Sequence, residues 1–271
     1  MSSQEIARQP ALFIPHGGGP CFFMDWKPAD TWVGMGNFLK SLAGSLPQRP
    51  AAIVMVSAHW LTDEFQVTGN ARPQLIYDYY GFPPHTYELT YPAPGHPALA
   101  DRVVQIIRSD GLEASVDADR GFDHGMFIPL KLVFPEAEIP VIQLSLRKDL
   151  DPASHVQLGR ALAPLRDENV LIMGSGMSFH NMRAYGDTRF TGISDEFDEW
   201  LTKAVESPAA ERTELLHAWE KAPFARLCHP EGGEEHLIPL HVVAGAAGDA
   251  PGKKIYSERV MQTTISAFRF D

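Results

Sequence analysis

Four short, continuous apolar runs limit the architectures open to this chain. ALFI (11–14), AAIVMVSA (51–58), PVIQLSL (140–146) and VLIMGSG (170–176) read as strands buried on both faces, as in a parallel sheet covered by helices. Helical periodicity fills the intervals. Leu99, Val103, Ile106 and Ile107 keep helical spacing in PALADRVVQIIRSDG, which closes at Gly111. Asp151 and Pro152 supply an N-cap and a first helical residue for DPASHVQLGRALAPLRDE. Ser194 is placed to cap a helix carrying Phe197, Leu201 and Val205, and Leu215, Leu216 and Trp219 continue the helical pattern. TTISAFRF (263–270) reads as a last strand. The alternation predicts an α/β fold. We expect a single domain over 1–271 with a central, largely parallel mixed sheet flanked by helices.

Composition narrows the class further. A chain of 271 residues, 44% hydrophobic and 21% charged, can bury a sizeable core as a soluble globular protein. Its formal charge of −11 argues against nucleic acid or an anionic membrane as the main partner. Cys21 and Cys228 form no CxxC pair, so a reducing compartment is expected rather than a disulfide framework. The start MSSQEIARQP lacks a basic stretch followed by a long apolar run, and no apolar run approaches ~18 residues. A cytoplasmic protein is the expectation. The Pro- and Tyr-rich stretch 77–97 fits neither helix nor strand, and serves either as a pocket wall or as a surface connection.

The histidines fall in a pattern. His16 follows ALFI-P, His59 follows AAIVMVSA, and His180 follows VLIMGSG by a short extension. Three histidines at the carboxyl ends of three buried strands share the sheet edge where α/β proteins bind ligands. One such histidine would be read as structural; three point to a shared metal, for which imidazole is the commonest ligand. His124 sits in the polar FDHG segment entering an apolar stretch. In EEHLIPLHVVAGAAG, ahead of a short helix, either Glu235 or His236 is suited to complete a coordination sphere. Glu234 is better explained as a favourable charge at that helix start. His155 and His217 read as surface residues, His241 as packing, and His229 as open to substrate contact.

The run His16-Gly17-Gly18-Gly19 admits three readings: an oxyanion hole, a phosphate cradle, or a turn beside a metal ligand. An oxyanion hole calls for a G-x-S-x-G elbow, and the nearest approaches, at Ser178 and Ser194, lack the final glycine. A phosphate loop calls for G-x-x-x-x-G-K-[ST] or a strand-to-helix G-x-G-x-x-G, and neither is present. The metal reading remains, with glycines that leave room around the ion.

Taken in order, HGGGPCFFMDW (16–26), VSAHW (56–60), GFP with YPAPG (81–95), GFDHG (121–125), PVIQLS (140–145), GSGMSFHN (174–181), EEHLIPL (234–240) and the AFRFD ending resemble the class III extradiol ring-cleavage dioxygenases, in their 4,5-DOPA dioxygenase-like branch. The resemblance covers nearly the whole chain. It implies metal ligands at His16, His59 and His236, with His180 as a further ligand or an acid/base and His124 as a second acid/base. It implies Fe(II) for activity, with Zn(II) also familiar in this branch. Where protocatechuate-type relatives use two histidines and a carboxylate, the matching position here is His236 beside Glu235, so the protein shell brings no negative charge.

The function this implies is O₂-dependent cleavage of a catechol (DOPA, caffeate or similar) beside its two hydroxyls, to a hydroxymuconic semialdehyde-type product. One of His124 and His180 would take the second phenolic proton and the other return one. Tyr80, Phe82, Ser178 and His229 are the expected substrate contacts, with Tyr87 and Tyr91 as further candidate walls. The partners are then a small catecholic substrate and O₂, without nucleic acid or membrane, and a homo-oligomer is compatible with the sequence. Two alternatives use the same histidines: a zinc-dependent hydrolase with a base such as Glu235, and a non-catalytic metal-binding relative.

Overall fold

The computed structural model describes residues 7–271, so most of the stretch read for a leader lies outside the described residues. Eight strands form one mixed sheet: β1 (Ala11–Pro15), β2 (Ala52–Thr62), β3 (Phe65–Thr68), β4 (Ala114–Asp117), β5 (Val141–Arg147), β6 (Val170–Gly176), β7 (Gly252–Val260) and β8 (Thr263–Phe270). Their order is β4-β3-β5-β2-β6-β1-β8-β7. The middle four, β5-β2-β6-β1, are parallel and correspond to the four apolar runs. The β3–β4 pair joins β5 antiparallel, and the β7–β8 hairpin joins β1 antiparallel. The fold is thus α/β with a mostly parallel mixed sheet.

Among the described residues eight helices accompany it: α1 (Val33–Leu42), α2 (Pro97–Ser109), α3 (His124–Val133), α4 (Pro152–Leu162), α5 (Phe190–Glu206), α6 (Ala209–His217), α7 (Ala225–Cys228) and α8 (Ile238–Ala246). α4 starts where the sequence places it, with Asp151 accepting from the Ser154 amide at 2.9 Å. No helix is long and apolar enough to cross a membrane among the described residues.

The end of β6 sets how closely helices approach. A Cβ on Gly174 would lie 2.6 Å from the Pro239 carbonyl oxygen, and one on Gly176 would lie 2.1 Å from that of His236. Only glycine lets α8 and the turn before it rest on this face. Ser175, between them, points to the opposite face as strand alternation requires, and its hydroxyl donates to the Gly125 carbonyl in the first turn of α3. α8 and α3 therefore clamp β6 from its two sides.

Several local expectations are corrected. α3 occupies a stretch read as a loop entering an apolar run; Pro129 lies inside it, and nearly every residue of the helix is buried. α5 begins at Phe190, so Ser194 is an interior residue rather than a cap. Its hydroxyl donates to the Thr191 carbonyl and accepts from the Thr264 amide. Trp219 lies beyond the end of α6 in a separate 3-10 turn. β2 continues past His59 to Thr62, with its pairing to β5 shifting register between Val56 and Leu61. His155 is buried, not on the surface: Nε2 accepts from the Arg147 amide, Nδ1 bonds the Asp151 carbonyl, and the ring meets Phe65 edge-on.

Three buried histidines outside the strand-edge group make the fold sensitive to acid. Burial pushes His155 and His241 down to about 4 and His229 to about 3. Below about pH 6.5 the unfolded chain takes up protons that the folded chain refuses, so stability rises with pH across this window. It is complete above about 6.5 and is lost as pH falls toward 4. Thermal melts from pH 7.5 to 4.5 should show a falling midpoint, with up to about one proton taken up on unfolding per histidine. A midpoint independent of pH would contradict this burial.

Candidate metal centre

The strand-edge histidines converge. His16 follows β1, His59 lies in the irregular end of β2, and His236 closes the 3-10 turn Glu234–His236 that leads into α8. One ligand atom from each lies within 4.8 Å of the other two. The Nε2 atoms of His16 and His59 stand 3.1 Å apart. Two nitrogens at zinc-like distances of about 2.0–2.1 Å from one ion are roughly 2.9–3.4 Å apart, so this spacing suits a cation.

Hydrogen bonds select which nitrogen faces the cluster. Ser175 has one hydroxyl hydrogen, and it goes to the Gly125 carbonyl. Toward His16 Nδ1, 3.0 Å away, Ser175 Oγ is therefore an acceptor. His16 carries its hydrogen on Nδ1 and presents Nε2 as a lone pair. His236 is fixed the same way, with Nδ1 donating to Glu235 Oε1 at 2.8 Å. Partners of this kind set tautomer and ring orientation in metal-binding histidines.

The rings are also held neutral. Burial first, then neighbouring imidazoles, keep His16 and His236 well below the usual histidine range. Burial brings His59 to about 3 and His180 to about 4. A neutral imidazole is the form that binds a metal.

The remaining candidates separate. His180 stacks on His236 with ring centroids 3.4 Å apart, and groups with Glu235 and His236 rather than with His16 and His59. Its Nδ1 is buried without a partner. His124 opens α3 with its ring 3.9 Å from that of His59, and groups with His59 and Asp78. Gly125 permits this approach, since a Cβ there would lie 2.9 Å from His59 Cδ2. Glu235 stands behind His236 as hydrogen-bond acceptor, and burial raises its pKa.

Of the expected substrate contacts, Phe82 is half-buried, against Tyr79 and the space a Gly19 Cβ would fill. The others lie elsewhere. Tyr80 is 92% exposed. Ser178 is buried and accepts from the Ser266 amide at 2.8 Å, which ties the end of β6 to β8. His229 is buried between Phe197 and Trp219 and bonds the Ser178 carbonyl at 2.9 Å. Ser178 Oγ and His229 Nε2 thus meet backbone groups, while His229 Nδ1 is buried without a partner among the described residues. Tyr87 packs against Tyr77 and Tyr79, and the Tyr91 hydroxyl donates to the Phe134 carbonyl.

The glycine triplet has a different task from the expected one. Gly17 and Gly19 adopt φ of +78° and +56°, which disfavours L side chains. Added Cβ atoms would meet Cys21, Phe22 and Phe82, while one on Gly18 would touch Trp32; none of these neighbours is a histidine. The glycines let the turn after His16 pack closely against Cys21, Phe22 and the aromatic loop.

Asp78, Tyr79 and Ser175 were not singled out from sequence. Asp78 Oδ1 accepts from both the His124 amide and His124 Nδ1, and Tyr79 meets the His124 ring edge-on at 5.6 Å. The only available signal was an acidic residue set among the tyrosines of YDYYG.

Known proteins share this chain's sequence and shape. A family model described as the catalytic LigB subunit of aromatic ring-opening dioxygenase matches residues 10–269. Dioxygenase tasH of Hapsidospora irregularis is 38% identical over 290 residues, covering 98% of this chain and 87% of that protein. A 4,5-DOPA dioxygenase extradiol of Beta vulgaris is 39% identical over 254 residues, covering 92% of this chain and 90% of its own. The crystal structure of an uncharacterized protein from Escherichia coli K12 superposes with a TM-score of 0.77 at 28% identity, covering 97% of this chain and 100% of that one.

Ser175→Ala removes the acceptor that orients His16. It should weaken zinc binding by about 10- to 100-fold in a chelator-competition titration, with secondary structure retained. Unchanged affinity in a folded variant would show that Ser175 does not orient His16.

Proposed function

Since the chain belongs to the class III extradiol ring-cleavage dioxygenases, the family of the catalytic LigB subunit, and is thus an oxidoreductase, we propose that it cleaves a catechol ring with O₂ next to the two hydroxyls, using a metal held by His16, His59 and His236. One observation carries this reading: the convergence of those three neutral imidazoles at the sheet edge, with His124 and His180 beside them. Fe(II) is the metal this chemistry calls for, and the neutral nitrogen donors fit it as they fit Zn(II). When bound, the ion would supply Lewis acidity toward the catechol oxygens and redox access to O₂, which imidazole lacks. A catechol entering as an anion would balance the charge the protein shell does not.

The protein residues then orient and move protons. Ser175 and Glu235 keep the ligand rings of His16 and His236 in their tautomers. His124 and His180 flank the ligands on two sides and are the pair suited to accept a phenolic proton and return one during ring opening. Tyr79 and Phe82 form the aromatic wall nearest His124 and the glycine turn. DOPA is a substrate class suggested by the names of several relatives, 4,5-DOPA dioxygenases among them, and caffeate-like catechols share its ring.

Anaerobic loading with Fe(II), addition of DOPA, caffeate or protocatechuate, and admission of air should produce stoichiometric oxygen uptake and a yellow ring-opened product. Zinc-loaded protein should consume none. Absence of uptake with every catechol tested, despite full iron loading, would overturn the reading. In His124→Ala, metal content should stay at the wild-type level while turnover falls about 10²- to 10⁴-fold. Substantial metal loss would instead make His124 a ligand.

A further inference from the structure

The two proton-moving candidates are supported differently. His180 Nδ1 has no hydrogen-bond partner among the described residues; the nearest carboxylate oxygen there, Glu235 Oε1, is 3.7 Å away and already accepts from His236. His124 Nδ1 lies 2.8 Å from Asp78 Oδ1, which also accepts from the His124 backbone amide at 2.9 Å. The second oxygen, Oδ2, is 3.9 Å from His59 Nδ1, beyond hydrogen-bond length.

An ionised carboxylate only accepts, so the hydrogen of this bond belongs to His124. Asp78 sits on the loop that also carries Tyr79, whose hydroxyl donates to the Thr86 carbonyl at 2.5 Å and whose ring meets His124 edge-on. The loop thus fixes both the position and the hydrogen-bonding of that ring.

We propose that Asp78 is a positioning residue for ring cleavage: it locks His124 in the Nδ1–H tautomer, so that Nε2 presents a lone pair and His124 is the group that first accepts the phenolic proton. The positive charge that develops on His124 is then stabilised by the ionised partner, as a buried aspartate supports a catalytic histidine in hydrolases. His180, without such a partner, is left the returning role. This assignment rests on the ring-cleavage reading, but the tautomer itself can be read without turnover.

In metal-free protein, long-range ¹H–¹⁵N spectra should report His124 as the Nδ1–H form. Asp78→Asn should lose that form and, once iron-loaded, show a kcat about 10²-fold or more below wild type, with KM and iron content within about twofold. Asp78→Glu, which keeps a carboxylate, should retain the Nδ1–H signal and more activity than Asp78→Asn, including where the Asn variant folds poorly. An Nε2–H form in the wild type, wild-type kcat in Asp78→Asn, or a Glu variant no better than Asn would each overturn the assignment. So would iron loss in proportion to the lost activity, which would place the action of Asp78 on His59. If wild type itself consumes no oxygen with any catechol, ring cleavage fails, and the spectra alone still decide whether Asp78 sets the tautomer.

Discussion

A missing amide hydrogen determines which face of His16 meets the cluster. Pro129 lies four residues after Gly125 in α3 and cannot donate the helical bond that Gly125 would otherwise receive. The freed carbonyl accepts from Ser175 instead, across the sheet face. Having spent its hydrogen there, Ser175 can only accept from His16, and the His16 lone pair is left on Nε2. A proline that weakens a helix thereby specifies a side-chain tautomer more than a hundred residues away in sequence. The flanking Gly174 and Gly176 complete the arrangement from the other face, where α8 and the His236 turn come to rest.

Crowding several imidazoles into one buried edge costs stability unless each stays neutral and hydrogen-bonded. The structure meets most of that demand with backbone and side-chain partners: Ser175 for His16, Glu235 for His236, Asp78 for His124. Asp123 anchors the framework around them. It is fully buried, accepts from Ser57 and from Gln143, and pairs with Arg120 at 3.2 Å, so β2, α3 and β5 are tied beneath His59 and His124. Burial, and after it the nearby Asp78 carboxylate, raise the pKa of Asp123, while Ser57 and Arg120 work against that shift. Carboxylates thus stand behind the rings, orienting them, while nitrogen atoms line the converging space.

The sequence discloses the sheet better than its edges, for reasons visible in particular residues. The parallel strands are legible because burial on both faces leaves uninterrupted apolar runs. β3 and β4 are four residues each, and β7 exposes much of its polar side, so none shows such a run. The β7–β8 turn carries positive φ at Met261 and Gln262, neither of them the Gly or Asn that signals a hairpin. α3 is hidden by Pro129. The candidate ligand histidines are legible because His16 and His59 follow buried runs and His236 opens one. Asp78 and Ser175 are not, since their partners lie 46 and 159 residues away. His155 misleads because its helix is amphipathic in pattern, yet its ring fills space against Phe65.

The aromatic loop shows why neighbouring residues divide so sharply in role. Asp78 reaches the first turn of α3, Tyr79 is buried against His124 and Tyr87, and Tyr80 turns outward to solvent. Gly81, at φ +78°, then reverses the chain so that Phe82 comes back beneath Gly19. One loop therefore joins the glycine turn after His16 to the helix start at His124, two segments whose rings lie 5.6 Å apart. A rigid glycine turn and an aromatic loop that pack on each other can fix the shape of a substrate wall and the orientation of a histidine together. Displacing Phe82 from Gly19 would disturb the bond between Asp78 and His124 through the same stretch of backbone, so the packing of the aromatic loop and the orientation of the His124 ring are coupled by covalent connection as well as by contact.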